Sequence, residues 1–399
     1  MKILYIHQYF NTDEMPGSTR SFEFAKRLTN NGNSVYMITS NWQKLSGKKF
    51  TTEAGIKVYW GSSTYSNKMN YLRRIISFTS FAFFALRKGL SLDYDLIIAS
   101  STPLTVGIPA VILKKIKKVK MVFEVRDMWP QLPIALGAIK FKPLIKILKW
   151  LEYKIYKESD KIIALSDGMK NEIFKICGNI EKIVVITNLC DIENFTISKA
   201  VGKNYKRKYL NFNSSPLILY AGSLGRINNV NYLVDIAKIL QKKKLDIKIL
   251  IVGDGHQSKT IEDRAKKLNL LNKNLFIMNF ISKNKMPELL SAATIVSSLF
   301  IDLPEMENNS ANKFFDGLAA GKPLMLNYGG WQSKLIKKNN AGFTIPNNNP
   351  KKASEIINKY IFDEEKIISM EDSSKKLSHS FSIEKNFLVF EKTLNSLKG

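Results

Sequence analysis

The sequence predicts an α/β protein built from two doubly wound parallel-sheet domains that face a central cleft. Three observations carry this reading. Apolar runs of strand length alternate with helix-length periodic segments along the chain. The rhythm stops in a polar, Lys/Asn-rich stretch at 198–215 and then restarts. The 399 residues leave room for two domains of similar size.

In the first half the strand candidates are 3–7, 35–39, 57–60, 96–99, 121–125, 161–165 and 183–186. The second half repeats the pattern at 217–220, 247–252, 275–278, 295–298, 323–326 and 343–345. Strands spaced by helices pair in parallel, with helices covering both faces. The expected domains are 1–200 and 201–379, joined by a linker at 198–215. The periodic tail, about 380–399, is expected as a helix packed back on the first domain. In such a duplicated fold ligands sit between the domains, at the carboxyl ends of the strands.

Hydrophobic residues make up 45% and charged residues 24%, which argues against a disordered chain. Two cysteines, Cys177 and Cys190, exclude a disulfide framework and fit a reducing compartment. The three histidines have no metal-ligand spacing. The outlier is charge: 61 Lys and Arg against 34 Asp and Glu, a net +27 shared by both halves. It favours anionic partners, either nucleic acid, anionic lipid or phosphorylated substrates, and part of it reflects a Lys-rich composition. The first ten residues lack the apolar run and cleavage site of a signal peptide. The uncharged stretch 96–113 contains Pro103 and Pro109, so it reads as strand, turn and helix rather than a membrane span.

Five motifs carry chemistry. Glu305-Met-Glu307-Asn-Asn-Ser310-Ala-Asn312-Lys313-Phe-Phe-Asp316 follows the strand at 295–298, and Gly321-Lys-Pro323 stops the helix it begins. Ser310 or Asn312 is placed to cap that helix. Its N-terminus offers N–H groups and a positive dipole end to an anion, and Lys313 adds charge in the first turn. Asp316 lies one turn on, where a carboxylate accepts hydrogen bonds from a diol such as that of ribose. A capped surface helix with a solvated acid is the alternative.

Gly222-Ser223-Leu-Gly225-Arg226 follows the strand at 217–220, and its glycines let backbone approach a phosphate that Arg226 neutralises. Gly253-Asp-Gly255 closes the strand at 247–252. Gly17-Ser18-Thr19-Arg20 lies between the first strand and its helix, with Ser18 or Thr19 as an N-cap and Glu23 completing a capping box. Arg126-Asp127-Met-Trp129-Pro130 ends the strand at 121–125. Asp127 is placed to orient an acceptor hydroxyl or act as its base, or it forms a structural ion pair with Arg126. Trp129 offers an apolar wall to a sugar or lipid. Asp93-Tyr94-Asp95 leads into a strand rather than ending one, so it reads as loop, not as a metal-binding Asp-x-Asp.

These motifs resemble those of family 4 glycosyltransferases, which have the GT-B fold. Their usual form is a Glu, seven residues, a second Glu, then Ala-x-Ala-x-Gly-x-Pro. Asp316 falls on the second Glu, the ribose ligand. The first falls on Asn308, and Glu307 beside it is the substitute the resemblance suggests. The family's Arg and Lys after the glycine turn fall on Ser223 and Asn228, leaving Arg226 and Lys313 as the basic pair. The resemblance further implies that Gly17, Ser18, Gly222, Ser223 and Gly253 approach the diphosphate and sugar, and that Phe280 lies in the base-binding turn. It makes Asp127, Arg126 and Glu307 the catalytic candidates. The Ser-Ala-Asn-Lys-Phe-Phe-Asp form is similar to a branch that builds bacterial surface polysaccharides (O-antigen or capsule), including N-acetyl-L-fucosaminyl transferases. It implies a retaining, metal-independent transfer from a UDP-sugar to a polyprenyl-diphosphate-linked acceptor.

Three basic-apolar segments, 73–88, 114–120 and 140–157, fall in the first half. Arg73, Arg74, Lys146 and Trp150 mark a face suited to an anionic membrane, though a core helix with a solvated basic edge is nearly as good a reading of any one segment. The expected location is cytoplasmic, at the inner face of the membrane. Two other classes remain: a nucleotide-sugar epimerase or hydrolase of the same fold, and a nucleic-acid-binding protein, for which no recognisable module exists.

Overall fold

The computed structural model of the protein describes residues 1–41, 49–63, 69, 71–212 and 214–398. The first sheet contains β1 (Lys2–His7), β2 (Ser34–Ser40), β3 (Phe50–Glu53), β4 (Ile56–Gly61), β5 (Leu96–Ser100), β6 (Lys120–Val125), β7 (Lys161–Ala164) and β8 (Ile183–Val185). Their order is β3-β4-β2-β1-β5-β6-β7-β8. All described pairings are parallel except the β3–β4 hairpin, which the sequence reading did not anticipate. The second sheet contains β9 (Leu217–Ala221), β10 (Lys248–Val252), β11 (Leu275–Met278), β12 (Ile295–Ser298), β13 (Leu324–Leu326) and β14 (Gly342–Thr344). It runs β11-β10-β9-β12-β13-β14, all parallel.

Strand β1 shows why both faces are covered. Its side chains alternate: Ile3 and Tyr5 join one core, Leu4 and Ile6 the other. The Arg20–Asn30 helix lies over the first face. The Tyr71–Leu90, Gly107–Lys117 and Lys142–Glu158 helices lie over the second. Each fully buried aliphatic or aromatic side chain contributes about 1.5–3 kcal/mol relative to exposure. The stretch 96–113 resolves into β5, a short turn at Leu104–Val106 and the start of the Gly107–Lys117 helix. Among the described residues no helix is long and apolar enough to cross a membrane.

Two local expectations change. The stretch 198–215 is not a plain linker: Lys199–Tyr205 is helical and packs on the Met286–Ala292 helix of the second domain. Gly202 permits that contact, since a Cβ there would lie 2.4 Å from the Ser291 carbonyl. Asn213, in the same stretch, lies outside the described residues. The Glu23 capping box does not form either. Thr19 takes the cap position without a side-chain bond, and Glu23 pairs with Arg27 instead.

The C-terminal helix, Ile383–Asn395, returns to the first domain. Phe390 stacks on Phe24 with ring centroids 4.4 Å apart, and Phe387 packs beside them. On the way back the chain runs beside its own earlier crossing: Cys190 N–H donates to the Phe381 carbonyl at 2.8 Å, and Cys190 bridges Ser382 in parallel.

Candidate functional site

The carboxyl ends of the two sheets face each other, so the strand-end turns form two opposed walls. On the second-domain wall the turns after β9 and β10 meet backbone to backbone. A Cβ on Gly253 would lie 1.9 Å from the Gly222 carbonyl oxygen, so only glycine fits there. The Phe280 ring lies 3.6 Å from that same point and is exposed, a flat apolar surface beside the glycines. The Ser223 carbonyl accepts the Tyr220 hydroxyl at 2.9 Å. Arg226 opens the Arg226–Asn228 turn and is exposed.

The Asn312–Ala319 helix supplies the charges. Ala311 occupies its cap position, so neither Ser310 nor Asn312 caps it through a side chain. Lys313 in its first turn sends Nζ to Asn228 Oδ1 at 2.8 Å and to the Tyr220 hydroxyl at 3.3 Å. The ammonium lies 4.9 and 5.0 Å from the Tyr220 and Phe300 ring centroids. No carboxylate pairs with it among the described residues. Burial brings its pKa down from 10.5 to about 7. One turn on, Asp316 Oδ1 receives Lys283 Nζ at 2.6 Å. Burial raises the Asp316 pKa, and the Lys283 charge opposes the rise.

On the first-domain wall, Arg20 and Glu124 form a buried pair at 2.8 Å. Burial pushes Glu124 up, but the guanidinium groups of Arg20 and Arg126 outweigh it and hold the carboxyl below its ordinary value. Arg126 reaches His7 Nε2 at 3.2 Å and Ser18 Oγ at 2.9 Å. His7 Nδ1 lies 2.8 Å from Ser21 Oγ. Burial and the Arg126 charge depress the His7 pKa, so the imidazole stays neutral and accepts at Nε2. Asp127 turns aside and accepts the Thr102 hydroxyl at 2.7 Å, so Arg126 and Asp127 are no closed ion pair.

The walls touch at named points. Ser18 Oγ meets Asn312 Oδ1 at 3.3 Å, Asn188 Nδ2 donates to the Ser310 carbonyl at 2.6 Å, and Ser166 Oγ donates to the Asn308 carbonyl at 2.6 Å. Lys283 N–H donates to the Met15 carbonyl at 3.2 Å. Gaps remain between the walls, two of them lined by described residues. Ser18, Asp191, Lys283, Asn312 and Asp316 line one. Asp127, Met128, Leu132, Met169, Glu305 and Met306 line the other.

The structure therefore brings together Ser18, Arg126, Lys313 and Asp316, and it sets Gly222, Ser223, Gly253 and Phe280 on one adjoining surface. Gly17 is exposed at the tip of its loop. Glu307 is placed differently from its expected role. It is exposed, with its carboxylate against Gly329, because the Pro304–Asn308 turn carries it away from Asp127. Glu305, two residues earlier, faces Asp127 and has a buried oxygen without a hydrogen-bond partner. Spacing alone cannot choose between two acids in one short turn. Lys283 was also missed, since a lysine in a polar loop gives no signal. Trp129 is half-buried against the first-domain core. Arg73, Arg74, Lys146 and Trp150 lie on the outer helices, away from the walls. Among the described residues no three His, Cys, Asp or Glu side chains come together as a metal site.

Comparisons with known proteins agree with this architecture. Residues 17–194 match the model of Glycosyltransferase Family 4, and residues 202–377 match that of Glycosyl transferases group 1. The alpha-D-kanosaminyltransferase of Streptomyces kanamyceticus is 20% identical over 201 residues, 50% of each chain. A glycosyltransferase of Haemophilus influenzae is 25% identical over 238 residues, 59% of this chain and 61% of its own. These matches thus span only half to three-fifths of the curated relatives. Among solved structures, Anabaena HepE in complex with UDP and glucose superimposes with a TM-score of 0.75 at 17% identity, covering 100% of both chains. Sucrose-phosphate synthase from Thermosynechococcus elongatus gives 0.80 at 14% identity, covering 99% of this chain and 98% of its own. WaaG, a glycosyltransferase involved in lipopolysaccharide biosynthesis, gives 0.71 at 14% identity, covering 100% of both. The chain has the GT-B fold, with a Glycosyltransferase Family 4 domain at 17–194 followed by a Glycosyl transferases group 1 domain at 202–377.

Proposed function

We propose that the protein is a retaining glycosyltransferase that moves a sugar from a UDP-sugar to a polyprenyl-diphosphate-linked sugar, in the assembly of a bacterial surface polysaccharide. One observation carries the donor half. A sequestered ammonium, Lys313, with which no carboxylate among the described residues pairs, lies one helical turn from a carboxylate, Asp316. A diphosphate completes the first and a ribose diol suits the second. Phe280 serves as a platform for the base, and Gly222, Ser223 and Gly253 admit the phosphates. UDP and UDP-glucose are the ligands named for HepE, which makes uridine the base to test first. The donor sugar is read as an N-acetylated deoxyhexosamine or related hexose, from the likeness of the 310–316 string to N-acetyl-L-fucosaminyl transferases.

Asp127 orients the acceptor hydroxyl, with Glu305 opposite. The acceptor oxygen bonds to the anomeric carbon as the bond from that carbon to the diphosphate oxygen breaks. The hydroxyl proton passes to the departing phosphate oxygen on the same face. Catalysis is then charge stabilisation and positioning, and the scheme calls on no metal ion.

The acceptor half draws on the outer helices. Ile76, Phe83, Ile116, Phe141, Ile147 and Trp150 are all more than half exposed, on three neighbouring helices of the first domain or just before them. With the lysines around them they suit an anionic membrane at the cytoplasmic face.

The test is calorimetric binding of UDP, GDP, ADP and CDP to wild type and Asp316→Asn, with EDTA present. Selective UDP binding, weakened about tenfold or more by the substitution, is the expected result. No nucleotide binding, with salt-sensitive DNA binding instead, overturns the reading.

A further inference from the structure

On the first-domain wall one guanidinium, that of Arg126, makes no direct ion pair among the described residues. Arg20 and Arg126 both lie near Glu124, but Glu124 is committed elsewhere. It pairs with Arg20 Nε at 2.8 Å and accepts the Ser100 hydroxyl. Arg20 also donates to the carbonyls of Thr187 and Ile186. Arg126 has neutral side-chain partners, the imidazole of His7 and the hydroxyl of Ser18. Asp127, the next residue, directs its carboxylate to Thr102. Among the described residues no carboxylate pairs with the Arg126 guanidinium. Arg126 is half-buried, and its nearest carboxylates, Glu124 and Asp127, act on it only at a distance, so it is less well compensated than a directly paired guanidinium. A ligand anion in direct contact would supply that pairing.

The surroundings say where that ligand lies. Ser18, which holds Arg126, also meets Asn312 across the cleft. Asn312 is the first residue of the helix that carries Lys313 and Asp316. Arg126 thus stands opposite the start of the helix that carries Lys313 and Asp316, with the Ser18 hydroxyl between it and Asn312.

We propose that Arg126 is an oxyanion ligand of the donor rather than an acid–base or purely structural residue, holding from the first domain what Lys313 holds from the second. This rests on the nucleotide-sugar reading above. The planar fork of a guanidinium suits two oxygens of one phosphate or carboxylate. That chemistry has two sources here, the departing diphosphate or a carboxylate on the transferred sugar. In either case the anion would be held from both domains at once.

The experiment is calorimetry on the full chain with uridine, UDP, UDP-glucose and UDP-glucuronate, using wild type, Arg126→Gln and Arg126→Lys, with melting temperatures of the free proteins. The expected result is a loss of about tenfold or more in UDP affinity for Arg126→Gln. Uridine affinity stays unchanged, Arg126→Lys is intermediate, and the free Gln variant melts no lower than wild type. If UDP affinity holds but a wild-type preference for UDP-glucuronate over UDP-glucose vanishes, the oxyanion is on the sugar and the assignment stands. Equal affinities for all four ligands in wild type and Arg126→Gln overturn it, as does a free Gln variant that melts far below wild type. Wild type that binds no nucleotide overturns the underlying nucleotide-sugar reading instead.

Discussion

Lys313 donates a 2.8 Å hydrogen bond to Asn228, joining the first turn of one helix to the turn after β9. Position 228 is where the family 4 resemblance places a lysine. The cation therefore reaches the same spot through space from another element. A cation supplied from a facing helix acts on the same volume as one carried by the turn itself, while the motif is unrecognisable by spacing.

Replacing this lysine separates binding from stability. Lys313→Met is expected to cut UDP affinity by about ten- to hundredfold, the worth of one charge-assisted phosphate contact. The free protein is expected to melt at the same temperature or higher, because a desolvated ammonium is removed. Calorimetry and thermal melts in parallel check both halves.

The same residue sets a pH dependence. Burial lowers the Lys313 pKa from 10.5 to about 7 in the folded protein. Between those values the unfolded chain holds a proton that the folded chain has released. Stability of the free protein attributable to this group therefore rises with pH from about 7 towards 10.5, and is least below 7. A bound diphosphate favours the charged ammonium, so binding at pH 8 is expected to take up a proton. Binding enthalpies in buffers of different ionisation heat measure the uptake, and Lys313→Met abolishes it.

Gly253→Ala is expected to break the donor wall. Its Cβ would lie 1.9 Å from the Gly222 carbonyl, and neither backbone can yield without moving its strand end. Overpacking of this kind costs about 1–3 kcal/mol. Urea unfolding gives the stability loss, and a melt with added UDP is expected to show little ligand-induced shift.

Charging the outer helix tests the membrane face. Trp150 and Ile147 are 61% and 59% exposed, so Trp150→Glu with Ile147→Glu is expected to leave the melting temperature within a degree or two. Co-sedimentation with vesicles rich in phosphatidylglycerol is expected to fall sharply, and to fall in wild type as salt rises.

The C-terminal helix has its own test. Phe390 is fully buried and stacked on Phe24, so Phe390→Ala is expected to cost about 3–5 kcal/mol. Limited proteolysis is expected to cut first near the Ile383–Asn395 helix.

The architecture was legible because buried parallel strands demand long apolar runs. Strands β1, β5, β9 and β10 show such runs, and their spacing by helix-length segments dictates parallel pairing. Gly222 and Gly253 stood out because each directly follows a strand, and Lys313 and Asp316 because they lie one turn apart on the helix after β12. Other features depended on three-dimensional detail. Lys283 reaches Asp316 across 33 positions, and Arg20 reaches Glu124 across 104. Local pattern holds no trace of such pairs. Glu305 and Glu307 differ only in which side of a tight turn they occupy. The helix Lys199–Tyr205 is so polar that its packing on Met286–Ala292 through Gly202 left no periodic stripe.

The chain passes between its halves twice, near Cys190 and near Phe381, and the two passages are hydrogen-bonded side by side. A single thread would let one lobe swivel freely about the other. Two adjacent threads act like the paired knuckles of a door: they resist twisting and leave bending about one line as the easy motion. Bending about that line would change the gap between the two walls with little sliding of one past the other. The passage near Phe381 also delivers the helix that completes the first-domain core, so the same thread serves the hinge and the fold.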